Sequence, residues 1–146
     1  CDWSSDVCSS DLSETFNIRF YETDALRHVN NTVVPQWFET AREPIFKVFN
    51  PELDLDNWPL ILASFTVDFV AQIHYGKAVT IRTGIARIGN SSFVVYQEVQ
   101  QPNAENEQVV VAKGTTTLVQ FDYVQQRAMP ISDTHRAQLL EWLVPQ

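Results

Sequence analysis

The sequence predicts an α+β domain: a five-stranded antiparallel sheet packed on one long helix, with a short helix at the C-terminus. Three observations predict this. One segment, Val33 to Phe49, repeats apolar residues at helical spacing. Five others carry strand-like alternation or β-prone runs, and most are joined by short turns. Short connections build antiparallel neighbours, and a single amphipathic helix must bury its stripe against one face of the sheet.

In chain order, Phe16, Ile18 and Phe20 alternate with Asn17 and Arg19, so Thr15 to Thr23 reads as the first strand. Asp24 to Thr32 is polar and rich in cap-forming side chains. After it Val33, Val34, Trp37, Phe38, Ala41, Ile45, Phe46 and Phe49 mark the long helix. Pro35 lacks an N–H and therefore belongs in the first turn, with Asn31 or Thr32 as the N-cap. Pro44 would remove the bond to the Thr40 carbonyl, so a bend or break is expected near Glu43. Asn50 to Pro59 is a loop. Leu60 to Tyr75 is the second strand, with a turn at Gly76-Lys77. Val79, Ile81 and Ile85 share one face of the third, where Gly84 is the expected bulge. Gly89-Asn90 turns the chain into a strand over Phe93 to Val99. A polar loop from Gln101 to Gln108 leads to the last strand, Val109 to Phe121. Ser132 caps a terminal helix over Asp133 to Leu143. One helix covers only part of so wide a sheet, so oligomerisation is expected.

Composition narrows the partners. With 18 acidic and 10 basic residues the net charge is −8, which disfavours nucleic acid and anionic lipid. No apolar run approaches the roughly 18 residues of a membrane-spanning helix, the longest being broken by Ser64, Thr66 and Asp68. Residues 1–12 are set apart as an artefact, because Asp2 to Leu12 is the string a sequencing adapter yields in translation. Residues 13–146 are then a single domain. Without the segment 134 residues remain, the loss of Asp2, Asp6 and Asp11 brings the charge to −5, and both cysteines, Cys1 and Cys8, disappear. A cysteine-free domain offers no thiol nucleophile and needs no oxidising compartment, which fits a cytoplasmic setting.

The chain has no Gly-x-Ser-x-Gly elbow, no His-Glu-x-x-His, no Walker loop and no Gly-x-Gly-x-x-Gly. His28, His74 and His135 are too widely spaced for a local metal pair, so no metal site is expected, and His74 and His135 read as structural. Tyr21 to Asn31 stands out: Asp24 and His28 lie between the end of a strand and the start of a buried helix. The N–H groups of the first helical turn, around Asn31, Thr32 and Val33, carry partial positive charge and can stabilise an oxyanion. Asp24 could then attack a carbonyl or activate water. The same residue types are also common in turns and caps. Trp37, Phe38 and Phe46 read as core residues whose surface could also line an acyl pocket. Glu39 is either solvated or faces the site of a neighbouring subunit.

Asp24 to Arg42, with His28-Val29-Asn30-Asn31 and Phe38-Glu39-Thr40-Ala41-Arg42 inside it, resembles the signature of hotdog-fold acyl-CoA thioesterases of the 4-hydroxybenzoyl-CoA thioesterase type. The likeness continues through Val67-Asp68-Phe69, Gly76, Arg87 to Ser92 and Met129-Pro130-Ile131. Two departures mark it: Arg27 stands where most relatives have Gly, and Val34-Pro35 replaces Tyr-Leu. The resemblance implies a hotdog fold, a sheet wrapped around its helix, and hydrolysis of an acyl-CoA to a carboxylate and CoA. Asp24 matches the family's nucleophile or general base, the turn at Val33 its carbonyl-polarising element, and His28 a residue that orients water or substrate. No cofactor is implied beyond the CoA of the substrate. Its phosphates would need cations, for which Lys77, Arg82, Arg87 and Lys113 are candidates, and Ser91 and Ser92 could bind the pantetheine arm. A homodimer or homotetramer is expected. Two other readings are a hotdog protein that binds acyl thioesters without turnover, and a hydratase or dehydratase, whose His and acidic pair is not found here.

Overall fold

The computed structural model describes residues 12–24 and 27–145; the adapter-like residues 1–11 lie outside them, and Leu12 opens the first strand. The strands are β1 (Leu12–Phe16), β2 (Leu60–Phe69), β3 (Val79–Ile88), β4 (Ser92–Pro102), β5 (Gln108–Asp122) and a two-residue β6 (Arg127–Ala128). The helices are α1 (Val33–Ala41), α2 (Glu43–Phe49) and α3 (Asp133–Leu140). The sheet runs β1-β3-β4-β5-β2, antiparallel throughout, and β6 extends it only as a short hairpin on β5. An antiparallel sheet with helices against one face is therefore as expected.

The one long helix is not: two helices meet at Arg42. Pro44 supplies the reason, since it has no N–H for the Thr40 carbonyl and fits only the first turn of a new helix. The expected break near Glu43 thus falls one residue earlier. The first strand ends at Phe16 instead of Thr23, because Glu22 competes with the sheet for local donors. Its Oε1 accepts the Arg19 N–H at 2.7 Å, and its own N–H bonds the Arg19 carbonyl, which curls Phe20–Glu22 into a 3-10 turn. The second strand stops at Phe69, where Val70 and Ala71 both donate to the Val111 carbonyl and end the regular ladder. The bulge in β3 lies between Ile85 and Arg87, just after Gly84. Ser132 caps α3 by accepting the His135 N–H. That helix ends at Leu140, and beyond it Trp142 and Val144 bond the Ile85 backbone.

Residues Val34, Trp37, Phe38 and Ala41, at spacings of three and four, bury the inner face of α1 on Val79, Ile81, Val99 and Ala112. Ile45 of α2 and Leu139 of α3 share a second cluster with Ile85, Phe93, Val95 and Leu118. Each such side chain contributes roughly 1.5–3 kcal/mol by leaving water. Between the clusters stand Thr83 and Gln97, cross-strand partners on β3 and β4, and Thr116 on β5, which pairs with Val95 one inward position further along, all buried, and opposite them the helix break places Arg42, 6% exposed. Arg42 Nη1 donates to Gln97 Oε1 at 3.2 Å and Thr116 Oγ1 at 3.1 Å. Gln97 Nε2 donates to the Phe38 carbonyl at 2.9 Å and to Thr83 Oγ1 at 3.1 Å.

Space is tight at Gly114, where a Cβ would overlap the Thr66 carbonyl oxygen of β2 and lie 3.1 Å from the Phe38 ring of α1. Gly114→Ala is expected to force β2 or α1 outward and to lower unfolding stability by about 1–3 kcal/mol. The urea midpoint measures this, and an unchanged midpoint would contradict the packing.

Candidate active site

Thr23 pairs with Val29, and between them the chain makes a tight loop with Asp24 at its entrance and Arg27-His28 at its exit. The Asp24 N–H donates to the His28 carbonyl at 2.9 Å, and the Arg27 N–H to the Asp24 carbonyl at 3.2 Å. The His28 N–H reaches Asp24 Oδ1 at 3.3 Å. The Asp24 carboxylate thus lies on an exposed loop in contact with the His28 backbone. Arg27 closes the turn at φ 63°, a left-handed conformation that costs an L side chain roughly 1–2 kcal/mol and glycine nothing. The departure from Gly at this position is thus one of backbone strain as well as charge.

Two side chains that the sequence reading did not single out, Glu22 and Gln101, fix this loop from behind. Glu22 is 6% exposed, and its Oε2 accepts the Trp37 Nε1–H at 2.8 Å, tying the loop's entrance to α1. Its carbonyl accepts the Asn30 N–H at 2.9 Å. On the exit side, Val29 donates to the Ile73 carbonyl and Tyr75 to the Arg27 carbonyl, so residues 27–29 lie against residues 73–75. Gln101, 2% exposed, holds that partner segment: Oε1 accepts the His74 N–H, and Nε2 donates to the His74 and Lys77 carbonyls. His74, read from sequence as structural, meets the His28 ring edge-on with centroids 5.5 Å apart. Long-range pairing of this kind leaves no local pattern. The sequence reading placed Gln101 at the start of a polar loop, whereas β4 runs on to Pro102 and buries it, where an amide must find several partners.

At the head of α1, Asn30 supplies the cap. Its Oδ1 accepts from the Thr32 N–H at 2.9 Å and the Thr32 hydroxyl at 2.8 Å, and its carbonyl accepts the Val33 N–H at 3.0 Å. Of the two expected caps, Asn31 or Thr32, it is Thr32 that takes the N-cap position, without a side-chain cap bond of its own. Two of the three N–H groups anticipated as oxyanion donors are therefore engaged by Asn30, and Asn31 is the one that Asn30 does not take.

Arg87, Ser91 and Ser92 lie at the other end of β3. β3 starts beside the Asp24 loop and runs ten residues, which at about 3.4 Å per residue separates the two groups by roughly 30 Å within one chain. Ser91 and Ser92 belong to a hairpin closed by the Gly89 N–H on the Ser92 carbonyl. Among the other cation candidates, Lys77 is near the loop but donates to the Pro102 carbonyl, Arg82 is buried, and Lys113 is exposed on β5. Trp37 and Phe38 are core residues as expected, Phe46 packs edge-on against Trp58, and Glu39 is exposed on α1. Among the described residues no group of three His, Cys, Asp or Glu side chains could hold a metal ion, and no helix is long and apolar enough to cross a membrane.

Two cavities open near α1. The larger, about 300 Å³, lies between β1 and the α1–α2 junction, beside the Glu43–Lys47 ion pair, and contains none of the candidate residues. The smaller, about 190 Å³, lies between α1 and β2 and begins at Pro35 in the first turn of α1.

The family model of the thioesterase-like superfamily matches residues 18–143. A solved structure described as a predicted thioesterase from Bacillus stearothermophilus is 40% identical, with a TM-score of 0.85 over 93% of this chain and 99% of its own. A thioesterase from Thermus thermophilus, complexed with coenzyme A and Zn, is 27% identical, with a TM-score of 0.73 over 87% of this chain and 95% of its own. A 4-hydroxybenzoyl-CoA thioesterase variant complexed with 4-hydroxybenzoyl-CoA is 16% identical, with a TM-score of 0.76 over 90% of this chain and 99% of its own, a likeness of fold.

The left-handed Arg27 gives a direct test of the loop. Arg27→Gly is expected to raise unfolding stability by about 0.5–1 kcal/mol, the relieved strain less the extra chain entropy of glycine. A lower denaturation midpoint would mean that the Arg27 side chain contributes more than its backbone costs.

Proposed function

The chain belongs to the thioesterase-like superfamily, and from that premise we propose that it hydrolyses acyl-CoA thioesters to a carboxylate and free CoA. The observation that carries the reading is the Asp24 carboxylate on a loop that closes immediately before the positive end of α1. A thioester carbonyl has little resonance stabilisation and a thiolate is a tolerable leaving group, so a carboxylate and an oxyanion site are sufficient. Asp24 acts in one of two ways. As general base it takes a proton from water, the hydroxide adds to the carbonyl carbon, the C–S bond breaks, and the proton passes to the CoA sulfur. As nucleophile it displaces the thiolate to give an anhydride that water then cleaves. The Asn31 N–H and the α1 dipole are assigned to the developing oxyanion. His28, packed on His74, orients the water or the thioester.

CoA binding is part of the same proposal, with Arg87, Ser91 and Ser92 as its contacts. Their distance from Asp24 within one chain means that they serve a site completed by a second copy. The outermost strand β2 supports such an assembly, since Leu62, Phe65 and Phe69 are about half exposed along it. An uncovered apolar edge strand favours pairing with another chain.

In a thiol-release assay over short, long, branched and aromatic acyl-CoAs, turnover is expected with at least one class, and Asp24→Asn is expected to lower kcat at least about 100-fold with an unchanged denaturation midpoint. Full activity in that variant would move the chemistry to another residue. Tight binding of thioesters with no thiol release would favour the binding-protein reading. Light scattering is expected to give a multiple of the 16.7 kDa chain mass; a monomer at working concentration would remove the shared site.

A further inference from the structure

His28 and His74 face one another across an antiparallel bridge. Two hydrogen bonds flank the pair, from the Val29 N–H to the Ile73 carbonyl at 3.0 Å and from the Tyr75 N–H to the Arg27 carbonyl at 3.2 Å. Because these bonds join the neighbours of the two histidines, His28 and His74 are a non-hydrogen-bonded pair, the kind whose Cα atoms approach to about 4.5 Å and whose side chains lie closest. Their rings meet edge-on, with centroids 5.5 Å apart and planes at 73°.

The backbone groups of such a pair point away from the partner strand. Those of His28 are taken by Asp24, whose Oδ1 accepts the His28 N–H at 3.3 Å and whose N–H donates to the His28 carbonyl at 2.9 Å. Those of His74 are taken by Gln101, whose Oε1 accepts the His74 N–H at 3.0 Å and whose Nε2 donates to the His74 carbonyl at 3.0 Å. The side-chain amide of Gln101 thus pairs with His74 as a neighbouring strand would. Its remaining Nε2 proton goes to the Lys77 carbonyl at 3.2 Å, so both of its donors are used. Gln101 is buried on β4 and holds this geometry firmly, since any shift leaves a polar group unpaired out of water. Gln101, His74, His28 and Asp24 form one row, from a buried strand to the candidate carboxylate.

Every bond from Gln101 to His74 is to its main chain, so closing the turn needs no imidazole. That ring is on the exposed side of the row, makes no hydrogen bond among the described residues, and meets the ring of His28. We propose that His74 is a positioning residue of the candidate site: Gln101 fixes its main chain, and its ring, by packing and without proton transfer, sets the orientation of the His28 imidazole. The inference rests on the thioesterase reading, in which His28 orients the water or the thioester. An aromatic pair of this geometry biases a ring toward one orientation by about 2- to 10-fold. Loss of orientation in a group that acts on the reacting atoms lowers turnover more than affinity.

Thiol release from hexanoyl-, benzoyl- and palmitoyl-CoA tests this, with kcat and KM read on the thioester that the wild type hydrolyses fastest. His74 is exposed, so its replacement leaves the core intact. His74→Ala is expected to lower kcat at least about 3-fold with KM within about twofold of wild type, and His74→Phe, which keeps a ring at the cross-strand position, to recover most of the loss. Retained kcat in the Ala variant, a change confined to KM, or a Phe variant as slow as the Ala variant overturns the assignment and leaves the thioesterase reading intact. Should no thioester be hydrolysed, the hydrolase reading fails, and proton–carbon NMR of the His28 ring decides the positioning. Ring signals that move in the Ala variant and stay near their wild-type displacement in the Phe variant uphold it; signals that do not move in the Ala variant, or that move as far in the Phe variant, overturn it.

Discussion

The structure depends on a polar layer placed where an apolar one would ordinarily be. Along β3, β4 and β5 the inward positions are apolar at both ends, but between them stand Thr83 and its cross-strand partner Gln97, with Thr116 one inward position further along β5. Such a layer is tolerable only if its groups find partners, and the helix on top must provide them. Arg42 does so because the helix breaks there: Gln97 reaches the Phe38 carbonyl near the end of α1 while Arg42 turns its guanidinium down to Gln97 and Thr116. Pro44 makes the break obligatory and the layer gives it a position. A buried network of this kind stabilises modestly when complete and is costly when one member is removed, so it acts mainly to specify one register of helix on sheet.

That register also positions the candidate site. With α1 held over β3 and β4, Trp37 stands where its indole N–H meets Glu22, and Glu22 in turn closes the chain that leads into Asp24. From the opposite side, Gln101 at the end of β4 secures the segment against which His28 is laid. Neither Glu22 nor Gln101 is exposed, so both shape the loop without reaching solvent. The loop itself stays on the surface and contains a strained residue, Arg27, an arrangement that only a rigid surround sustains.

Much of this was legible in the residues. The apolar spacing of Val34, Trp37, Phe38 and Ala41 determined a helix and its buried face, because burying a stripe at 3.6-residue period admits few alternatives. Pro44 determined a break, expected near Glu43 and found at Arg42, and Ser132 a cap. Asp24 and His28 were recognisable as neighbours because one short loop holds both. Glycine, proline and alternation act locally, and local rules can be read from a chain without knowing what it touches.

What the tertiary structure decided was every contact between residues distant in sequence. Glu22 reached Trp37 of α1, and Gln101 held His74, whose ring meets that of His28. Buried polar side chains choose partners by geometry across the sheet, so the sequence supplies the donor and acceptor but not the pairing. The sequence by itself therefore determined an α+β domain with a carboxylate loop ahead of a helix. Only the packing of that helix on the sheet decided which side chains support the loop, and that Arg42, an unremarked residue at the end of a helical motif, lies in the core.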